Sequence, residues 1–171
     1  KKKKFRNHSA SAMRAKQRFE GPVMEVKVLE GKIENDYKWN PGPAVGRFLT
    51  QIRDKELVAV RCTKTSRVFF PPQSFSPYGN IKMDRYLTIT SDPVFKAGTI
   101  VYQAPWNMPE GIALPYMLAG VGFAGADSDL IHLIVADEAK LKSLKAGDKL
   151  KAVWKEERTG TIRDIVYFEP A

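Results

Sequence analysis

Residues Cys62–Gly79 read CTKTSRVFFPPQSFSPYG. A short apolar run, Leu57–Arg61, enters Cys62; a polar turn, Val68–Phe70, two prolines and a second turn ending in Gly79 follow. This is the layout of a small metal knuckle. Tetrahedral zinc needs four soft ligands, which a zinc ribbon supplies as two Cys-x-x-Cys pairs placed at two such turns. Here the four positions fall on Cys62, Thr65, Phe75 and Tyr78. A single thiol cannot hold the ion, so no metal is expected. The stretch reads as a hairpin and turn in which Phe75 and Tyr78 pack as an apolar staple in the place of zinc.

Upstream of this stretch, Ala44–Lys55 has helical periodicity. Val45, Phe48, Leu49 and Ile52 share one face, and Arg47, Gln51 and Arg53 point away. Before it lies an aromatic and proline-rich loop containing Tyr37, Trp39 and Pro41-Gly42-Pro43. Val23–Leu29 alternates like a strand. Ala10–Phe19 suits a short helix capped by Ser9 and ended by Gly21-Pro22. Downstream the pattern is mostly β. Tyr86–Thr90, Gly98–Ala104, Ile112–Phe123, Leu130–Val135, Lys149–Lys155 and Thr161–Phe168 are the candidate strands, and Asp92-Pro93 reads as a break. Leu141 and Leu144 lie a helical step apart in Asp137–Ala146, which Gly147 closes. Short strands with one short helix before the last two give the element list of an OB-type barrel. The expected fold is therefore mainly β: an OB-fold barrel preceded by a degenerate ribbon-like hairpin and N-terminal helices. The expected division is a basic arm over 1–22, a helix plus ribbon over 23–80 and an OB-fold domain over 81–171.

The 171 residues are 43% apolar and 27% charged, ordinary for a globular chain with a real core. One cysteine excludes an internal disulfide. No apolar run reaches the length of a membrane span, and no apolar segment of the secretory kind follows the basic N-terminus, so a cytoplasmic location is expected. The net charge of +9 is uneven. Residues 1–20 hold eight basic residues and one glutamate, leaving 20 basic against 18 acidic residues elsewhere. The basicity is mostly a tail, so a general groove for nucleic acid is less favoured than the overall charge suggests.

The catalytic inventory is thin. Gly120, Gly122 and Gly125 spell G-x-G-x-x-G, yet a dinucleotide fingerprint needs a helix next, and Ala126-Asp127-Ser128-Asp129 is turn chemistry. A bent strand and a hairpin turn explain these glycines better. His8 lies in the tail, and His132 sits in the apolar run LIHLIV as a packed or hydrogen-bonded imidazole. Cys62 has no histidine near it in sequence and reads as a structural thiol. Asp127 and Asp129 read as turn residues. No serine elbow, HExxH or phosphate loop occurs. A stand-alone enzyme such as a thioesterase therefore has no positive support. A binding surface is left. Arg61, Lys64, Arg67, Lys82 and Arg85 cluster around the knuckle among Phe69, Phe70, Phe75 and Tyr78. Cations mixed with aromatics suit a ligand carrying phosphates and a flat base, either a coenzyme or single-stranded nucleic acid; equally, the aromatics could be core and the cations their solvated neighbours.

Several short pieces resemble one family in order and spacing over about Tyr37–Pro170. They are Tyr37 and Trp39 before Arg47-Phe48-Leu49, then Val60-Arg61-Cys62 and Phe70-Pro71-Pro72, then Ala97-Gly98-Thr99-Ile100-Val101 and Leu114-Pro115-Tyr116. Leu144-Lys145-Ala146-Gly147-Asp148 and the closing Ile165–Pro170 complete the set. The chain resembles the acyl-CoA-associated OB-fold proteins that carry an N-terminal rubredoxin-like zinc ribbon, the domain of unknown function numbered thirty-five. It departs from that pattern at three of the four zinc cysteines and at Gln73, where Pro-Pro-Arg is usual, so zinc is not carried over. The resemblance implies a non-catalytic accessory subunit in a hetero-oligomer of lipid metabolism. Its thiolase-like partner would own the catalytic groups, and the pair would enclose the CoA part of an acyl-CoA, with the basic arm wrapping the partner. From charge and place, Arg61, Phe70, Lys82 and Arg85 are the candidate CoA contacts, with no catalytic and no metal-binding residues. The other class is an OB-fold binder of single-stranded nucleic acid, whose affinity would fall steeply with salt.

Overall fold

The computed structural model describes residues 31, 35–103, 105 and 111–171. The basic arm, its expected helix over Ala10–Phe19 and the expected strand over Val23–Leu29 lie outside the described residues. Residues 38–171 form one compact unit.

Helix α1 spans Gly42–Ile52. Pro43 sits in its first turn, where no N–H partner is needed. Ala44, Phe48 and Ile52, each four residues from the next, form its buried stripe. Lys55, at φ +61°, ends the turn that follows. Three strands then make a small antiparallel sheet: β1 (Leu57–Arg61), β2 (Val68–Phe69) and β3 (Arg85–Ile89), in the order β2-β1-β3. Central β1 buries Val58, Ala59 and Val60 in succession because both its faces are covered. β3 pairs with β1 along its whole length. The division expected at residue 81 therefore cuts through this sheet, since β3 belongs with the ribbon half.

The second sheet has five strands: β4 (Pro93–Val101), β5 (Tyr116–Phe123), β6 (Leu130–Ile134), β7 (Leu150–Trp154) and β8 (Ile165–Pro170). Their spatial order is β4-β5-β6-β8-β7. All neighbours are antiparallel except β6 and β8. A parallel pair needs a crossover. Here it is made by helix α2 (Glu138–Ser143), which buries Leu141, together with β7. The sheet curls until its edges meet at one bridge, Val94 to Lys149, with Phe95 N–H donating to Asp148 O at 2.8 Å and Gly147 N–H to Phe95 O at 2.8 Å. No continuous ladder closes it, so the expected barrel is not closed.

Curvature comes from an irregularity in β4 between Phe95 and Ala97, and from glycine. A Cβ on Gly98 would stand 2.8 Å from both Ala119 Cβ and Met117 Sδ. Gly120 and Gly122 lie within β5, and Gly125, at φ +84°, turns the chain toward β6. The G-x-G-x-x-G spacing thus serves a bent strand and a hairpin, as expected. Pro93 opens β4 instead of breaking the chain there, because an edge strand tolerates a missing N–H. The segment read as a strand over Thr161–Phe168 begins with a 3-10 turn, Ile162–Asp164, before β8.

One core joins the sheets and α1. Phe70 lies at its centre, with its ring edge-on to Phe48 at 5.6 Å and to Phe123 at 4.8 Å. The β5–β6 turn fastens the edge of β2. Val68 N–H donates to Asp127 Oδ2 at 2.7 Å, Asp127 N–H donates back to Val68 O at 2.7 Å, and Phe70 N–H donates to Ser128 Oγ at 2.7 Å. A carboxylate and a hydroxyl here do the work of another strand.

Candidate functional site

The two turns of the ribbon are built alike. Cys62 N–H donates to Arg67 O at 2.8 Å, and Ser66 N–H donates to Cys62 O at 2.9 Å. In the second turn Ser76 N–H donates to Ile81 O at 2.8 Å, and Asn80 N–H to Ser76 O at 3.1 Å. The residue four places after each start, Ser66 or Asn80, has positive φ, +59° and +54°. By this equivalence Ser76 corresponds to Cys62 and Gly79 to Thr65, one residue later than the Phe75 and Tyr78 assigned from spacing. Asparagine tolerates the left-handed region well, so Asn80 was the sequence signal for this register.

Phe75 and Tyr78 are consequently not an internal staple. Both are more than half exposed. A second small core holds the ribbon instead: Val60, Cys62, Phe69 and Met83, with Ile81 and Tyr86 against them. Tyr78 covers Phe69 with ring centroids 6.2 Å apart, and its own ring carries the Arg67 guanidinium at 4.4 Å. Arg47 of α1 covers the Tyr86 ring in the same manner at 4.6 Å.

Cys62 has no exposed surface and faces the second turn. The Ser76 hydroxyl, then the hydroxyl and N–H of Thr65, and more weakly the N–H of Lys64, favour its thiolate form. Together they outweigh the opposing effect of burial and lower its pKa to about 6. Reading Cys62 as a plain structural thiol missed these donors. Spacing from Cys62 already names Thr65, whereas Ser76 is found only through the equivalence of the two turns. Among the described residues no group of three or more His, Cys, Asp or Glu side chains could hold a metal ion.

The candidate contacts separate into two kinds. Phe70 is fully buried at the core, so it packs the fold and offers no ligand face; that expectation is corrected. Arg61, Lys82 and Arg85 are exposed. Arg61 ends β1 and Arg85 begins β3, and the two stand directly opposite each other in the ladder. Lys82 forms an isolated bridge with Phe75. Among the described residues none of the three takes part in an ion pair.

His132 lies on β6 with its ring edge-on to Phe168 at 5.4 Å. Its Nδ1 is buried and has no partner among the described residues. Burial holds its pKa below the ordinary value against backbone contacts at Leu133, Ile162 and Ile165 that raise it. Of the packed or hydrogen-bonded imidazole that the apolar run implies, the structure shows the packed one. Asp127 pins β2, also as a turn residue. An open cleft of about 680 Å³ lies elsewhere, where Leu114, Pro115 and Ala136 meet Asp137, Glu138 and Glu169, with Lys140 on its wall.

No family model and no curated protein matches the chain. Solved structures do. A protein of unknown function from the DUF35 family of Sulfolobus solfataricus is 25% identical, over 66% of this chain and 78% of that one, with a TM-score of 0.52. The Ltp2-ChsH2(DUF35) aldolase is 15% identical, over 77% of this chain and 98% of that one, with a TM-score of 0.53. The chain has the DUF35 fold. The resemblance read from short motifs is therefore supported by independent likeness in three dimensions. The DUF35 fold here is mainly β, two sheets with few helices, as the motifs implied. No helix among the described residues is long and apolar enough to cross a membrane.

Proposed function

We propose that this chain is an accessory subunit that docks on a thiolase-type enzyme making or breaking a carbon–carbon bond, and holds the CoA part of an acyl-CoA substrate. The observation that carries the reading is the Arg61–Arg85 pair: two exposed guanidiniums on adjacent strands, without a carboxylate partner among the described residues. Lys82 adds a third exposed cation three residues before Arg85. Such a surface suits phosphates, of which CoA carries three. The neighbour named Ltp2-ChsH2(DUF35) aldolase, in which DUF35 is part of an enzyme's name, supports assembly with an enzyme. The role given to the subunit is positional: it fixes the nucleotide end of the ligand and excludes water while the partner supplies the reacting groups. On this reading the curled sheet is an OB-type unit, and Arg61, Lys82 and Arg85 contact the coenzyme.

The test is co-purification from the native source through a tag on this chain. A thiolase-type enzyme in near-stoichiometric amount is the expected result. Turnover of acyl-CoA by the pair should exceed that of the partner alone, and Arg61→Glu with Arg85→Glu should remove the gain. Recovery of the chain alone, or with nucleic acid released by salt, overturns the reading in favour of the nucleic-acid binder.

A further inference from the structure

Directly opposite residues of an antiparallel pair send their side chains to the same face, with Cβ atoms about 4.5–5.5 Å apart. Arg61 and Arg85 occupy such positions. On the other side of Arg61 the directly opposite residue is Val68, which is buried and carries no charge. Asp84, the acidic residue beside Arg85 in sequence, is exposed and makes no ion pair among the described residues. Like charges placed directly opposite oppose strand pairing. The ladder nonetheless extends as far as this pair, its last, without a shift in register. The backbone is also held firmly here. β1 is paired on both sides, and the turn leaving it is closed by the Cys62 N–H bond to Arg67 O at 2.8 Å. Two arginines thus stand opposite each other at the end of a firmly paired ladder, with their charge uncompensated by any described carboxylate.

The chemistry of the complement follows. A guanidinium is a planar fork that matches phosphate oxygens bidentately. Two forks on one face need three or more acceptor oxygens and close to two negative charges. A carboxylate or a phosphodiester, with one negative charge, leaves one arginine uncompensated, and the diphosphate bridge of CoA splits its two charges between two phosphorus centres, one on each. A phosphate monoester has three terminal oxygens and a charge near −2 at neutral pH. We propose that the Arg61–Arg85 pair is a site for a phosphate monoester dianion. The inference rests on the CoA reading only for the identity of the carrier. In CoA the single monoester is the 3′-phosphate of the adenosine, so the pair grips the nucleotide end and leaves the pantetheine arm free to lead elsewhere.

The test uses the full chain and calorimetric binding of CoA and of 3′-dephospho-CoA. CoA should bind about tenfold or more tightly, as expected for charge-assisted hydrogen bonds. Arg61→Gln and Arg85→Gln should each remove most of that difference while leaving 3′-dephospho-CoA unchanged. Arg61→Lys should restore little, since a point charge lacks the fork. Lys140→Gln, the same charge change on α2, should do nothing. Equal affinity for the two ligands, or an equal loss for both in the arginine variants, overturns the inference and leaves the CoA reading standing. If neither ligand binds, the CoA reading fails and inorganic phosphate decides the site. Side-chain NMR shifts confined to the guanidiniums of Arg61 and Arg85 on phosphate addition keep it. Shifts spread over all basic residues, or none, remove it.

Discussion

Phe70 provides the sharpest test of the division between fold and ligand surface. Truncation to alanine removes a ring with no exposed surface that lies edge-on between Phe48 and Phe123. Deleting a fully buried phenylalanine costs about 3–5 kcal/mol, through lost transfer energy and the cavity left behind. The upper half of that range applies here. The surrounding residues come from α1, β1 and the five-stranded sheet, and the Phe70 backbone is fixed by Ser128 through two hydrogen bonds of 2.7 and 2.9 Å, so the site cannot collapse easily. A loss of about 4 kcal/mol corresponds to a fall in melting temperature of roughly 10–20 °C for a domain of this size. Urea unfolding should show a lower midpoint with an unchanged slope, the sign of lost stability without a change in the area exposed. Phe70→Leu, which refills much of the space, should recover about half or more of the loss. Below its unfolding temperature, Phe70→Leu should bind CoA as the parent chain does. Full stability in Phe70→Ala, or a stable Phe70→Leu protein with ligand affinity lost, would refute the placement of this ring in the core.

Three further outcomes follow from the titrating groups. The thiolate ultraviolet absorbance of Cys62 should appear with a midpoint near the pKa of about 6, and Ser76→Ala should raise that midpoint by removing its strongest donor; an unshifted titration would separate Ser76 from the thiol. His132 has its folded-state pKa below 6.5 because burial disfavours the charged ring. The unfolded chain then takes up the proton first, so the stability present above pH 6.5 should be lost as pH falls from there through the folded-state value. His132→Leu should flatten this part of a stability-against-pH curve. Burial works against the charge of Asp164, but the N–H groups of Gly160, Thr161 and Thr159 and the Thr161 hydroxyl prevail and lower its pKa. Asp164→Asn should cost about 2–3 kcal/mol in denaturant unfolding, the scale of lost hydrogen bonds to a buried charge. In the parent chain this contribution should fade as pH drops below 3.8 through the lowered pKa.

What the sequence made legible was local. Short apolar runs bounded by turn residues located β1, β3, β6 and β7 to within a residue, and alternation was clear in β7, because a half-buried strand must show its two faces in its composition. Lys149–Lys155 marks β7 for this reason, and the helical spacing of Val45, Phe48, Leu49 and Ile52 marks α1, although the fully buried stripe runs through Ala44 in place of Val45 and Leu49. Partner choice was not legible, because it depends on residues far apart in the chain. Nothing within Tyr86–Thr90 says that it pairs with Leu57–Arg61 and not with the strands that follow. The same limit misplaced Phe70. Val68, Phe69 and Phe70 are three apolar residues in a row, and only tertiary packing assigns Phe70 to the core, Phe69 to the ribbon's own cluster and Tyr78 to its cover. The candidate cations were readable as a cluster of charge. Their pairing across two strands was not.

The open cleft of about 680 Å³ by α2 offers room for a ligand. Its charges point the other way. Asp137, Glu138 and Glu169 line it against one lysine, Lys140. Lys142 pairs with Glu138, and Lys151 lies 3.7 Å from Glu169, so nearby cations are already engaged with the rim carboxylates. A polyanion approaching there meets carboxylates before it meets a free cation, whereas at the ribbon Arg61, Lys82 and Arg85 are exposed and lack described ion-pair partners. For a ligand that brings several phosphates, long-range attraction and the final contacts both favour the ribbon. An acyl or pantetheine arm, being neutral, is not bound by this preference. The subunit therefore need grip only the charged end of the molecule, and the reacting end is left to whatever surface the partner provides.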